Sequence, residues 1–239
     1  MKHYTLGRLF TKHWSWFERP HDVPGASMAN FFSYEDVDLP HFTKKKTLTS
    51  VIDLTRPLED IRSGMRAKFI LSQIEKGIRR GITVEKSDDL AAFYPVYLRF
   101  RKGKNLARER FATLKENGIL FLASYEGRLV AGGVFIGDGE NMRAWVLASE
   151  RLETMEGRQR DIIGEANRMV LSEAIQYAKH EGYRRFDLGG IEPDSQKTSA
   201  RSLAEFKEGF GGERQHAYYY YRIYSPLLRA WMRVRRLVR

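Results

Sequence analysis

The sequence of 239 residues contains no cysteine, which excludes disulfide bonds, cysteine-ligated zinc and a cysteine nucleophile. Histidine is also scarce, and none of the six histidines lies at the close spacing that is typical of metal ligands. They are His3, His13, His21, His41, His180 and His216. We therefore expect neither a metal site nor a bound cofactor.

Long apolar runs are missing as well. No stretch reaches the 18 or so apolar residues that a helix needs to span a bilayer. The first residues, Met1 to Phe17, mix His, Lys, Arg and Trp and contain no apolar core, so they do not resemble a signal peptide. These two features favour a cytoplasmic protein.

Acidic residues are outnumbered, with 30 Asp and Glu against 41 Lys and Arg, and the formal net charge is +11. A basic surplus favours an anionic partner, which could be RNA, a nucleotide-linked substrate or an acidic membrane face. Hydrophobic residues make up 42% and aromatic residues 13% of the chain, which is enough to build a packed core.

The spacing of apolar residues predicts three segments. Residues 1–50 are aromatic-rich and interrupted by prolines, and we expect an irregular segment of short strands and loops. Residues 51–224 carry helical and strand periodicities, and residues 225–239 are expected to form a basic amphipathic helix. In the middle segment we expect helices at 61–78, 88–101, 108–116, 163–178 and 203–209, and strands at 51–54, 82–84, 118–124, 129–136, 142–149, 184–188 and 214–221.

A strand meander that enters a long helix and returns as a further strand is the layout of an acetyltransferase-like (GNAT) domain. The fold class predicted for residues 51–224 is therefore α+β, with a mixed, mostly antiparallel sheet flanked by helices. Gly189 and Gly190 are expected to interrupt the strand that follows the long helix.

The last helix is predicted to begin at Ser225-Pro226, which are an N-cap residue and a proline at the first helical position. Its pattern fits an anionic membrane face, RNA phosphates, or a solvated helix that packs through its apolar stripe. Arginines accompany apolar residues along it: Arg229, Arg233, Arg235, Arg236 and Arg239 with Leu227, Leu228, Trp231, Val234 and Val238.

Two motifs stand near the C-terminus: GYRRFDLGGI at 182–191, preceded by Ala178, and FKEGFGG at 206–212. Together they resemble the A-x-x-x-G-Y-x-x-Y-D-x-G-G-I and F-K-x-x-F-G-G stretches of the FemABX family of peptidyltransferases. The resemblance covers roughly residues 50–222. It implies GNAT-like domains, of which family members usually have two in tandem, whereas this chain has room for one.

The resemblance also implies a reaction. Members of the family take an amino acid from aminoacyl-tRNA and attach it to a nucleotide-linked or lipid-linked peptidoglycan precursor, and some shorter relatives modify other amines. The expected partners are therefore tRNA as donor and a peptidoglycan precursor or small amine as acceptor.

Candidate site residues follow from the two motifs. The resemblance implies that Lys207 faces the leaving end of aminoacyl-tRNA and offsets negative charge there, and that Phe206 braces it or the terminal adenosine. Asp187 could orient or deprotonate the amine, while Gly189 and Gly190 permit close backbone approach or positive φ. The structural alternatives are a solvent-facing helix lysine beside a core phenylalanine, and an aspartate that caps a glycine turn.

Further candidates lie on the first helix. Where the family commonly reads R-x-x-I-R-K-A, this chain has Leu71 and Glu75 at the two arginine positions. Lys76 and Arg79 remain as basic residues that could bind the substrate. The glycine-rich Gly209–Gly212 could present amides to a phosphate, although a plain turn explains it equally.

An alternative donor to aminoacyl-tRNA is acyl-CoA, and the residues before the long helix bear on it. Proteins of the GNAT fold that use CoA carry Arg/Gln-x-x-Gly-x-Gly/Ala there, so that amides bind the pyrophosphate. Gly164 and Ala166 fit this pattern, but Asp161 stands at the Arg/Gln position and would repel pyrophosphate; a one-residue shift would bring in Arg160. Three hypotheses stand: an aminoacyl-tRNA-dependent transferase, an acyl-CoA N-acyltransferase acting on an amino sugar or amino acid, and a non-catalytic GNAT-like module that binds RNA or membrane.

Overall fold

The computed structural model describes residues 2–6, 10–150 and 157–237, with side chains described for residues 10–150 and 157–232. The chain forms two compact units. One contains Met1–Thr49 and Gln215–Arg239, and the other contains Ser50–Arg214. Two strands cross the unit boundaries along the chain: β4 (Thr43–Asp53) and β10 (Glu213–Ile223).

The Ser50–Arg214 unit is a mixed sheet with helices. Its other strands are β5 (Thr83–Ser87), β6 (Ile119–Tyr125), β7 (Arg128–Gly137), β8 (Asn141–Ser149) and β9 (Arg185–Ile191). Its helices are α1 (Leu58–Ser63), α2 (Ser72–Arg79), α3 (Leu90–Gly103), α4 (Phe111–Asn117), α5 (Gly157–His180) and α6 (Thr198–Glu208). The strand order is β4-β9-β8-β7-β6-β5.

Sheet pairing in this unit is antiparallel from β5 to β8, and the β8–β9 pair is parallel. Helix α5 packs on the sheet through small side chains, because Ala166, Ala174 and Ala178 are fully buried together with Val170. Small residues let the helix backbone approach the strands closely, and aromatic side chains of the sheet, among them Phe121 and Phe135, belong to the same core. The expected fold class, α+β with a mostly antiparallel sheet flanked by helices, is confirmed.

One continuous helix over 61–78 was expected, and this prediction is wrong. Helix α1 ends at Ser63, a short π-helical segment follows at Ala67–Leu71, and α2 begins at Ser72. Between them Arg66 has an extended conformation, and its amide donates to the Gly209 carbonyl at 2.9 Å instead of to a preceding turn. The apolar side chains keep nearly helical spacing across the break, so periodicity alone does not reveal it.

The expected interruption of the sixth strand at Gly189-Gly190 is also corrected. Strand β9 continues through both glycines to Ile191. Gly189 has φ +92°, which lies outside the ordinary strand region and which glycine adopts without steric strain.

The other unit contains β1 (Lys2–Leu6), β2 (Lys12–Trp16), β3 (Met28–Ser33), β10 and α7 (Pro226–Leu237). Strands β1 and β2 pair antiparallel, β2 and β3 pair parallel, and β3 and β10 pair antiparallel. Phe31, Tyr218 and Tyr220 bury their rings in its core beside Ala29. The segment 1–50 is thus more regular than expected, and one of its strands, β3, pairs with β10 from the other end of the chain, which local sequence does not show.

The division of the chain also differs from the expected segments 1–50, 51–224 and 225–239. Residues 215–224 and helix α7 belong to the same compact unit as residues 1–49. Among the described helices, none combines the length and apolar character that crossing a membrane requires.

Candidate active site

A cluster of charged side chains lies where two parallel strands part. Strands β8 and β9 pair over Asn141–Arg143 and Arg185–Asp187, so that Arg143 stands opposite Asp187. Both strands then continue, to Ser149 and Ile191, without a further ladder pair between them among the described residues. Arg143 and Asp187 therefore lie at the opening between the strands, and α6 contributes Lys207 to the same place.

Asp187 is fully buried and both of its carboxylate oxygens are bound. Oδ1 accepts a hydrogen bond from the Gly189 amide at 2.7 Å, and Oδ2 accepts one from Nη1 of Arg143. Arg143 is itself only 4% exposed, so this is a buried ion pair. A carboxylate whose two oxygens are bound in this way is fixed in position, which suits orientation better than proton abstraction.

Lys207 is also buried, at 9% exposure, and is not the solvent-facing helix lysine that was the structural alternative. Its Nζ donates a hydrogen bond to the Gly190 carbonyl at 2.8 Å. Burial lowers the pKa of the Lys207 ammonium to about 8; the nearby Arg143 cation adds to this decrease, and the Asp187 carboxylate opposes both effects. A lysine with such a pKa can be a cation and can also release its proton near neutral pH.

Gly189 is required for this arrangement in two ways. Its φ of +92° disfavours any residue with a side chain. In addition, a Cβ at this position would lie 3.0 Å from Nζ of Lys207, which is closer than side-chain contacts normally permit. Gly189 of the D-x-G-G-I motif thus leaves room for the ammonium group between β9 and α6.

Phe206, next to Lys207 on α6, is half-buried and belongs to a group of rings around Arg168. The guanidinium carbon of Arg168 lies 5.2 Å from the Phe206 ring centre and 4.8 Å from that of Phe69, in the π-helical segment. Nε of Arg168 donates to the Phe69 carbonyl at 2.8 Å, and Phe210 meets Phe206 edge to face at 5.5 Å. These contacts fix Phe206 beside the lysine.

Three other candidate binding residues do not join the cluster. Lys76 and Arg79 are exposed on α2. Nη1 of Arg79 lies 4.0 Å from Oε2 of Glu75. Arg160 is exposed in the first turn of α5. Within the part of the chain that the structure describes, no hydrogen bond or ion pair links any of the three to Lys207.

The glycines of Gly209–Gly212 act in packing. A Cβ at Gly211 would lie 2.8 Å from the Gly64 carbonyl oxygen, and one at Gly212 would lie 2.4 Å from Oγ of Ser50. Close backbone approach therefore explains these glycines, and the turn interpretation accounts for them better than phosphate binding does.

The residues compared with a CoA pyrophosphate loop are helical. Asp161, Gly164 and Ala166 lie inside α5, which begins at Gly157. Amides inside a helix are bonded to carbonyls of the preceding turn, so residues 161–166 offer no free amides to a pyrophosphate. Arg160, which a one-residue shift would bring in, lies in the first turn of the same helix.

The sequence did not point to two residues of the site: Arg143 in the charged cluster and Arg168 beside Phe206. Arg143 sits in an otherwise apolar strand, Met142 to Leu147, and a lone charge in such a strand is the signal that could have found it. Arg168 showed no such signal, because it lies on the polar side of a regular helical pattern.

Comparison with known proteins yields only structural likenesses, since no protein-family model and no curated protein matches the sequence. The crystal structure of FemX matches with a TM-score of 0.62 at 13% identity, over 81% of this chain and 72% of that chain. The chain has a FemX-like fold. The resemblance seen in the D-x-G-G-I and F-K-x-x-F-G-G motifs is thereby confirmed at the level of the fold.

Two further structures have the same fold. A DUF2156 domain from Agrobacterium fabrum matches with a TM-score of 0.56 at 16% identity, over 82% of this chain and 68% of that chain. The structure of L-PGS from Bacillus licheniformis matches with a TM-score of 0.55 at 17% identity, over 88% and 72%. At identities of 13%, 16% and 17%, the similarity to these three structures is a similarity of fold.

Proposed function

We propose that this chain is an aminoacyltransferase that moves an amino acid from aminoacyl-tRNA onto an amine and forms an amide bond. The observation that carries the proposal is the buried Lys207, whose ammonium lies at the opening between β8 and β9 beside the Arg143–Asp187 ion pair. The FemX-like fold supports the proposal at the level of architecture, and the D-x-G-G-I and F-K-x-x-F-G-G motifs support it at the level of residues.

The transfer reaction needs a proton donor at the step in which the tRNA ribose oxygen leaves. The acceptor amine attacks the ester carbonyl carbon, a C–N bond forms, and the carbonyl oxygen becomes an oxyanion. The C–O bond to the tRNA ribose then breaks, the amine nitrogen loses a proton, and the ribose oxygen gains one. In the proposal, protonated Lys207 offsets the developing negative charge and supplies the proton to the leaving oxygen.

The environment of Lys207 suits this role. A pKa of about 8 lies close to ordinary cellular pH, so the ammonium is charged yet gives up its proton easily. An ammonium has three N–H donors, and the Gly190 carbonyl takes one of them. The remaining donor directions can serve the oxyanion and the leaving oxygen.

Asp187 and Arg143 act as positioning residues in this proposal. Since Arg143 and the Gly189 amide bind both carboxylate oxygens, Asp187 orients the Gly189-Gly190 backbone and holds Arg143 against the lysine. Its role in deprotonating the amine, expected as one of two options, is less favoured by these contacts. The proton of the attacking amine then leaves to solvent or to a basic group of the substrate.

Donor binding is proposed at the aromatic surface next to the lysine. Phe206 is half-buried and Phe69 is 38% exposed, and both are held by Arg168, so a terminal adenine could stack there. Lys76 and Arg79 on α2 are exposed cations that could contact a phosphate of either substrate. The net charge of +11 favours a polyanionic donor such as tRNA.

For the acceptor we propose an amine of a peptidoglycan precursor or a related peptide, in the cytoplasm. The support is the pair of motifs and the FemX-like fold. No separate cofactor enters this reaction, because the aminoacyl ester already carries the activated carbonyl.

The test is an assay of the full chain with a pool of radiolabelled aminoacyl-tRNAs and a UDP-linked muropeptide. The expected result is label in the muropeptide through a bond that survives mild base, which hydrolyses esters but leaves amides intact. In parallel, acyl-CoA is offered with amino sugars and amino acids, and thiol release is followed. Thiol release without use of aminoacyl-tRNA would contradict the proposal and favour the acyl-CoA reaction, and binding of tRNA without any transfer would favour a non-catalytic module.

A further inference from the structure

Helix α7 (Pro226–Leu237) is attached to its unit at its beginning. Ser225 caps it, since the Leu228 amide donates to Oγ of Ser225 at 3.2 Å. The Leu228 side chain is buried at 8% exposure, and Nη2 of Arg229 donates to the Ile223 carbonyl at 2.8 Å. These contacts attach the first turn of the helix to the rest of its unit.

A second apolar stripe on α7 is exposed. Leu227 is 75% exposed and Trp231 is 48% exposed, and residues four apart lie on the same face of a helix. The ring of Phe10 lies 6.5 Å from that of Trp231 and extends the apolar surface. In the sequence Val234 follows three residues later, which is also a helical spacing. Leu228 is buried against the protein, whereas Leu227 stays exposed and Trp231, which meets Phe10, keeps about half of its side chain exposed.

All charged residues of helix α7 are basic. The sequence of Pro226–Leu237 contains four arginines, Arg229, Arg233, Arg235 and Arg236, and no acidic residue. An exposed stripe with leucine and tryptophan on an arginine-rich helix is the pattern of a helix that lies in a membrane interface. Tryptophan favours the headgroup level, and arginine is attracted to anionic lipid.

We propose that α7 docks this protein on an anionic lipid surface, with Leu227 and Trp231 inserted among the headgroups and the arginines bound to lipid phosphates. Binding to RNA phosphates would use the same arginines but would leave Leu227 and Trp231 in water. The exposure of these two apolar side chains is therefore the observation that favours lipid. The proposal concerns where the protein acts and is independent of the reaction at Lys207.

The test measures partition of the full chain onto phosphatidylcholine vesicles with and without phosphatidylglycerol, by sedimentation. We expect binding to the anionic vesicles only, and weaker binding as salt concentration rises. Leu227→Glu should lower the partition coefficient about tenfold or more, because it removes an apolar side chain from the interface and adds a charge. Folding is checked by circular dichroism, and at 75% exposure the substitution does not disturb packing.

The matched control is Leu106→Glu. Leu106 is 45% exposed and belongs to the other unit, so this variant makes the same chemical change and the same charge change outside α7. It should bind vesicles like the unchanged chain. The proposal is overturned if the unchanged chain ignores anionic vesicles, even when it binds tRNA. It is also overturned if Leu227→Glu leaves vesicle binding unchanged, or if both variants lose binding equally.

Discussion

Lys207 lies in an environment that disfavours its charged form. Its pKa in the folded chain, about 8, is lower than the ordinary lysine value of 10.5. The unfolded chain therefore binds this proton more tightly, and below pH 8 the site opposes folding by about 3 kcal/mol. This penalty declines as pH rises from about 8 to the ordinary lysine value. A lysine kept at such a site is more readily explained by chemistry than by stability.

The pH dependence of transfer should follow the protonation of Lys207. If the ammonium donates the proton, kcat falls as pH rises through about 8. Asp187→Asn removes the carboxylate that raises the Lys207 pKa, so it should move this decline to lower pH. Measured pH–rate profiles of the two proteins provide the check. A rate that increases through pH 8 would instead mean that the neutral amine acts as a base.

Gly189→Ala tests the space that β9 leaves for the ammonium. The new methyl group would lie 3.0 Å from Nζ, and we expect transfer to fall about a hundredfold as the lysine is displaced. Gly139→Ala is the control, because Gly139 also has positive φ, +95°, but a Cβ there meets nothing within 4 Å. Both variants should lose similar stability in urea, whereas only the first should lose activity. Equal activity losses would mean that backbone strain alone matters.

At the residue scale, the sequence predicted the motif residues but not their neighbours. Lys207, Asp187 and Gly189 were found through two motifs that resemble a family. Arg143 was missed because the parallel β8–β9 register joins residues that are far apart in the chain. Register of this kind depends on packing across the whole sheet, which local patterns do not contain.

The elements were predicted best where periodicity is local. The β6–β7–β8 meander and helix α5 lie close to the expected ranges, since hairpin turns and a 24-residue amphipathic helix leave strong signals. The break between α1 and α2 was missed. It depends on the hydrogen bond from Arg66 to Gly209, whose two residues are brought together only by the fold.

The contact between α2 and α5 gives a prediction for helix packing. Gly77→Ala should destabilise the chain, because its Cβ would lie 2.5 Å from Sδ of Met169 on α5. Gly164→Ala, inside α5, meets only the end of Arg168 at 3.4 Å. It should stabilise the chain by up to about 1 kcal/mol through helix propensity. Urea unfolding measures both, and a gain in stability for Gly77→Ala would contradict the close helix contact.

At the scale of the whole molecule, the two ends of the chain form one unit. Residues 1–49 and 215–239 share it, with β3 paired to β10. The sequence indicated an irregular N-terminal segment because its strands are short and because β3 pairs with β10, which lies at the far end of the chain. Composition, by contrast, is informative at this scale, since a formal charge of +11 favours an anionic partner whatever path the chain takes.

The central claim is that Lys207 carries out aminoacyl transfer, and a single-turnover assay tests it most directly. Labelled aminoacyl-tRNA bound to excess enzyme is mixed with acceptor, and amide formation is followed for the unchanged chain and for Lys207→Met. Methionine fills similar volume without charge, so the variant should fold at least as stably at neutral pH. The account predicts a loss of about a hundredfold or more in the transfer rate, with tRNA binding retained. Transfer at nearly the unchanged rate by a folded Lys207→Met would contradict it.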